Sequence, residues 1–173
     1  MARYVELRRH TDNDGDTLTE QGVRAALEIG QTLTGGYVLL VSTGAQRATQ
    51  TLACFASMLR EPVTGGAVVE AGLRSRVEDR WREAYQRAGS GDLAALRDAD
   101  PELVIEDSAV LGAALRRVFQ RLPERGKALV VGHSPTNEAA VLGVTGEIIE
   151  PLGKGAGVLV INEEGRTRVE PLA

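Results

Sequence analysis

Residues 37–41 (YVLLV) and 128–132 (ALVVG) are apolar along their whole length. A half-solvated strand alternates polar and apolar positions, whereas an unbroken run of five needs cover on both faces. A mostly parallel sheet with helices on each side supplies that cover, and it requires strands and helices to alternate along the chain. The rest of the sequence fits this requirement. Residues 3–8 read as a strand with Arg and Glu outward and Tyr, Val and Leu inward. Residues 67–69 (AVV) give a short strand, and 157–172 give a hairpin about a turn at 162–165.

Helical segments fall between these strands. Thr17 and Glu20 have capping-box spacing ahead of a stripe of Val23, Leu27 and Leu33, stopped by Gly35-Gly36. Thr43 and Gln46 have the same spacing ahead of Ala48, Leu52, Phe55, Ala56 and Leu59. Leu73, Val77, Trp81 and Tyr85 recur at intervals of four, and residues 89–106 read as an excursion with one short helix. The clearest helical period begins at Ser108 and runs through Leu111, Leu115 and Leu122, ended by Pro123 and Gly126. Ser134-Pro135 reads as the N-cap and first position of a last helix. The expected fold is α/β: a single three-layer domain over residues 1–173, with a mostly parallel central sheet, helices on both faces and an antiparallel C-terminal edge hairpin. A small helical excursion is expected at about 73–106.

Composition narrows the function. Twenty basic against 24 acidic residues, a formal net charge of -4, do not suit a general nucleic-acid or anionic-membrane binder. A single cysteine, Cys54, excludes an internal disulfide and a Cys-based zinc site. No apolar run approaches the roughly 18 residues of a membrane span, and the N-terminal run is too short for a signal peptide, so a cytoplasmic protein is expected.

Ligands of open parallel sheets bind beyond the carboxyl ends of the strands. Three predicted strands end there in groups suited to an oxyanion: Arg8-Arg9-His10, the segment STGAQRATQ with Arg47 in the first helical turn, and Gly132-His133 at a helix start. Helix N-termini favour anions, and arginine binds phosphate through parallel hydrogen bonds. Taken singly, each feature also reads as solvated surface or a helix start. The second segment lacks the Gly-Lys-Ser/Thr of a triphosphate-binding loop. Both histidines of the chain, however, fall at strand-to-helix junctions on one edge of the sheet.

The ordered set of Arg9-His10 after an apolar strand, Arg47 in a Ser/Thr…Arg-Ala-x-Gln-Thr segment, the phrase LTEQG, and His133 after a second apolar strand resembles the histidine phosphatase (phosphoglycerate mutase-like) superfamily. Its short length and VVGHSPTNE resemble the small bacterial phosphohistidine phosphatase branch. The resemblance implies His10 as a nucleophile that becomes phosphohistidine, and Arg9, Arg47 and His133 as the phosphate clamp. It implies no cofactor and no metal. Thr11 and Ser134 are further candidates for the phosphate, and Glu78 is the candidate proton donor. The chain departs from the family pattern at Thr11, where glycine is usual, and at Ser134, where one branch carries an acid. Around the expected proton donor, Glu70, Glu78 and Asp79 give no clean match.

The implied activity is metal-independent hydrolysis of a phosphomonoester or phosphoprotein. A mutase-type phosphotransferase and a degenerate phosphate-binding regulatory domain are the competing readings. The expected partner is a phosphorylated small molecule or phosphoprotein, not nucleic acid or membrane, with the chain a monomer or homodimer. Asp12, Asp14 and Asp16 either disfavour multiply phosphorylated ligands or form a solvated loop that caps a helix.

Overall fold

The computed structural model describes residues 1–172. The chain runs from β1 (Arg3–Arg9) through a small hairpin, β2 (Asn13–Asp14) and β3 (Thr17–Leu18), into α1 (Glu20–Thr32). Then come β4 (Leu39–Ser42), α2 (Gln46–Ser57), β5 (Ala67–Val69) and a 3-10 turn at Ala71–Leu73. α3 (Glu78–Ala88), α4 (Leu93–Ala99) and α5 (Pro101–Gln120) precede β6 (Lys127–Gly132). α6 (Thr136–Thr145), β7 (Gly157–Glu163) and β8 (Arg166–Pro171) complete the described fold.

One six-stranded sheet has the order β5-β4-β6-β1-β7-β8. The first four strands are mutually parallel, and β7 and β8 add antiparallel, as the sequence led us to expect. The unbroken apolar runs are β4 and β6, in the parallel part of the sheet. Leu40, Leu129 and Val131 face one apolar cluster with Ala48, Leu52 and Phe55 of α2. Leu39, Val41, Ala128 and Val130 face the other, with the inward side of α5 and α6. Two clusters separated by one sheet are what three layers require.

β1 lies between β6 and β7, which changes the reading of its charges. Glu6 is buried instead of outward: it accepts from Arg8 at 2.7 Å and from the Tyr37 hydroxyl at 2.8 Å, with Lys127 at 3.5 Å. A central strand has no wet face, so a carboxylate on it must find partners. Burial and the adjacent Glu6 push the Tyr37 hydroxyl well above the usual tyrosine range.

Several helix limits differ from expectation for identifiable reasons. α1 is capped by Thr19, which accepts from Gly22 N–H at 3.0 Å, while Thr17 belongs to β3. Its buried face is Gly22, Ala26 and Gly30, and Val23 is exposed. The close approach demands it: a Cβ on Gly22 would lie 2.0 Å from the Asp12 carbonyl oxygen. α5 starts seven residues before Ser108, at Pro101, with Asp100 accepting from Leu103 N–H at 3.1 Å. That is an Asp N-cap followed by proline at the first helical position. In α3 the buried positions are Trp81 and Ala84, leaving Tyr85 52% exposed.

Candidate active site

The register places the strand ends together. Arg9 of β1 pairs with Gly132 of β6, and Ser42 of β4 pairs with Val131. His10 N–H donates to the Gly132 carbonyl at 3.0 Å, so the two histidine segments are joined at the sheet edge. Asn137 strengthens that junction. Its carboxamide accepts from His133 N–H at 3.2 Å and donates to the Arg8 carbonyl at 3.1 Å. Gly132 is needed beneath it, because a Cβ there would lie 2.3 Å from Asn137 Oδ1.

The two imidazoles face each other with centroids 5.4 Å apart and planes inclined by 60°. His10 Nδ1 lies 2.8 Å from the Thr11 carbonyl oxygen. A carbonyl only accepts, so Nδ1 carries the proton and Nε2 carries the lone pair. Burial, with Arg47, Arg9 and Lys154 adding to it, lowers the His10 pKa to about 4 against the opposing effect of the Thr11 carbonyl. The free ring is therefore neutral near pH 7. His133 Nε2 meets the Thr43 hydroxyl at 2.8 Å, and its Nδ1 is buried without a partner. Burial first, then Arg47 and His10, lower its pKa to about 3. Arg9 donates to the Leu152 carbonyl at 2.9 Å and keeps its Nε buried without a partner.

Arg47 donates to Asp16 at 2.7 Å. The same carboxylate accepts from the backbone N–H groups of Gln46 and Arg47 at 3.2 and 3.3 Å, so Asp16 caps α2 from a distant loop. Burial opposes ionisation of Asp16, but these donors outweigh it and hold its carboxyl below the usual carboxylate range. Asp12 accepts from Thr19 and Lys154, at 2.7 and 2.8 Å. Of the two readings of this acidic loop, helix capping is the one these bonds carry. The expected Thr43–Gln46 box does not form, because the Thr43 hydroxyl is directed to His133 and α2 begins with Ala45 at its cap.

Three candidates are placed differently from expectation. The Thr11 hydroxyl donates inward to the Gly22 carbonyl at 2.8 Å, so it offers no proton to a phosphate; its carbonyl sets the His10 tautomer instead. The Ser134 hydroxyl donates to Glu138 at 2.7 Å, and Pro135, not Ser134, holds the cap position of α6. Glu78 does reach the cleft wall, but its carboxylate accepts from Arg74 at 2.7 Å, which is the reverse of a donor role. Arg8 turns away to Glu6 and the Gly155 carbonyl.

Sequence reasoning missed Glu138, whose position in the first turn of a helix looks like ordinary dipole compensation. It is 1% exposed, Oε2 has no partner, and burial raises its pKa to about 7 against the pull of Ser134 and Arg9. Beside the histidine edge opens a cleft of about 480 Å³, walled by Arg47, His133, Ser134 and Pro135 on one side and by Glu78, Trp81 and Tyr85 on the other. Trp81 is fixed by donating to the buried Asp107 at 2.6 Å, which also accepts from Ser75 at 2.7 Å. Among the described residues, no group of three His, Cys, Asp or Glu side chains could hold a metal ion, and no helix is long and apolar enough to cross a membrane.

No protein-family model matches the chain, and no curated protein matches it in sequence. Solved structures match it in shape. The phosphoglycerate mutase of Bacillus anthracis str. Sterne superposes with a TM-score of 0.73 over 99% of this chain and 92% of its own, at 17% identity. A phosphoserine phosphatase from Entamoeba histolytica, in complex with 3-phosphoglyceric acid, gives 0.73 over 96% and 94%, at 17% identity. The protein histidine phosphatase SixA, complexed with tungstate, gives 0.61 over 96% and 94%, at 22% identity. Both mutases and phosphatases share this fold.

Proposed function

We propose, from the phosphoglycerate mutase-like fold and the geometry at its sheet edge, that the protein hydrolyses phosphomonoesters through a phosphohistidine on His10. The observation that carries the reading is the His10–Thr11 contact, which leaves a neutral ring with its Nε2 lone pair free beside Arg9, Arg47 and His133. Nucleophilic imidazole catalysis needs that tautomer and that charge state.

In the first step Nε2 attacks phosphorus and the bond from phosphorus to the leaving oxygen breaks. Arg9 and Arg47 neutralise charge on the equatorial oxygens, the main task of a phosphoryl-transfer site. A phosphate dianion between these groups also draws a proton onto His133, giving its unpartnered Nδ1 a role. The leaving oxygen takes its proton from water in the cleft, since Glu78 is engaged by Arg74. In the second step water attacks, the phosphorus–nitrogen bond breaks, and inorganic phosphate leaves as His10 returns to its neutral form. Asp16 yields Arg47 to the substrate: their contact is half exposed on the acidic side, and exposed pairs exchange partners at little cost.

The intact nucleophile and cation set favours an enzyme over a degenerate binding domain. A mutase would have to keep a second anionic group of its substrate in place, and beyond Arg47 the lining offers it only Arg82, whose side chain is 66% exposed. The test is turnover of p-nitrophenyl phosphate in EDTA. Release by the wild type and none by His10→Ala supports the proposal. Vanadate binding without turnover supports the degenerate domain instead.

A further inference from the structure

We infer that the substrate is the phosphate ester of an uncharged, flat, largely apolar alcohol, one carrying an aromatic ring, and that the ring lies against Tyr85 with the buried Trp81 as the floor beneath. This rests on the phosphatase reading above. His133 and Arg47 line the same cleft as the two aromatic residues, so a phosphate held at the strand ends directs its ester group along α3. The cleft volume of about 480 Å³ falls within the range of small-molecule sites.

The chain has one Trp, three Tyr and two Phe, and it commits its only Trp and one Tyr to this wall. Trp81 is 4% exposed and packs into the core, so it is a fixed floor to this wall, with its indole N–H held by the buried Asp107, and the open face belongs to Tyr85. Tyr85 is 52% exposed, an uncommon placement in a chain this poor in aromatics, and it completes the wall with Pro135. Such surfaces favour stacking of a flat ring. Charge gives little hold on the alternatives. Each charged residue of the cleft has an opposite partner: Arg47 with Asp16, Arg82 with Asp79, and Glu78 with Arg74. Once Arg47 turns to the phosphate, the cation left among the lining residues is Arg82, which is 66% exposed and already beside Asp79, so a carboxylate on the leaving group would meet only a screened charge. Gln86, at the same wall, offers neutral donors and an acceptor to a heteroatom on the ring.

The experiment compares kcat/KM for four monophosphates of alkyl alcohols: methyl phosphate, 2-naphthylmethyl phosphate, O-phosphoserine and 3-phosphoglycerate. The naphthylmethyl ester is expected to exceed the other three by roughly tenfold or more. Tyr85→Ala, at an exposed position, is expected to lower the ratio of naphthylmethyl to methyl phosphate about fivefold or more. Equal values for all four esters, preference for a charged ester, or an unchanged ratio in Tyr85→Ala overturns the inference while hydrolysis itself leaves the His10 chemistry standing. Failure to turn over any of the four, or p-nitrophenyl phosphate, overturns both.

Discussion

The two sides of the cleft are built on opposite principles. On the strand-end side the two histidines are buried and held, His10 by Thr11 and His133 by Thr43 and Asn137, and the half-buried Arg9 is held by Leu152. On the α3 side the charged groups are paired near the surface, Arg74 with Glu78 and Arg82 with Asp79. Groups that must meet a developing charge gain from a site already arranged in low dielectric, whereas a surface pair contributes little and is easily remade. On the proposed reading the chemistry lies at the sheet edge and selection of the leaving group falls to α3.

Substitutions should separate the two sides by size of effect. His10→Ala is expected to lower kcat by about 10,000-fold or more with an unchanged circular dichroism spectrum, since it removes the imidazole proposed as the nucleophile. Arg47→Ala should lower kcat/KM by roughly 100- to 1,000-fold, read in steady-state kinetics. Asn137→Ala tests whether the strand-end side is a held structure. It removes partners from the buried His133 N–H and the Arg8 carbonyl, and a loss of about 1–3 kcal/mol per group is expected in urea unfolding. Glu78→Gln, on the paired side, should change kcat by less than about threefold, since water supplies the proton. A large loss there, together with a shifted basic limb of the pH profile, would restore Glu78 as the donor.

The pH response also divides the site. His10 has its pKa lowered to about 4, so the acid limb of kcat/KM should fall near pH 4, not near 6.5, after correction for ionisation of the ester. For stability, both lowered histidine values mean that the unfolded chain binds more protons. Their contribution is complete above about pH 6.5 and is lost as pH falls toward 3–4. Glu138 has the opposite sign. Its raised pKa means the folded state holds the extra proton, so its contribution is complete below about pH 4.5 and is lost as pH rises through about 7. Glu138→Gln should remove that alkaline loss, worth at most about 3 kcal/mol, as measured by unfolding at pH 5 and pH 8.

The sheet was legible because β4 and β6 are apolar on both faces, and only a covered strand reads that way. The pair Arg9-His10 and His133 was legible from its place at strand ends. What misled sequence reasoning was local rules diverted by the site. Thr43 and Ser134 look like caps, but their hydroxyls serve His133 and Glu138. The α1 stripe was misplaced because Gly22 and Gly30, silent in a hydrophobic pattern, make the close contacts. Glu138 left no signal at all, since burial of a carboxyl is a property of packing. Such exceptions concentrate where function competes with local preference.

The central claim, covalent transfer to His10 Nε2, is tested most directly by rapid quench of the wild-type protein mixed with a radiolabelled phosphomonoester. The mechanism predicts an acid-labile, alkali-stable phosphoenzyme that maps to the peptide bearing His10 and is absent from His10→Ala. Steady turnover with no trapped phosphoenzyme, or label mapped to another residue, would contradict it.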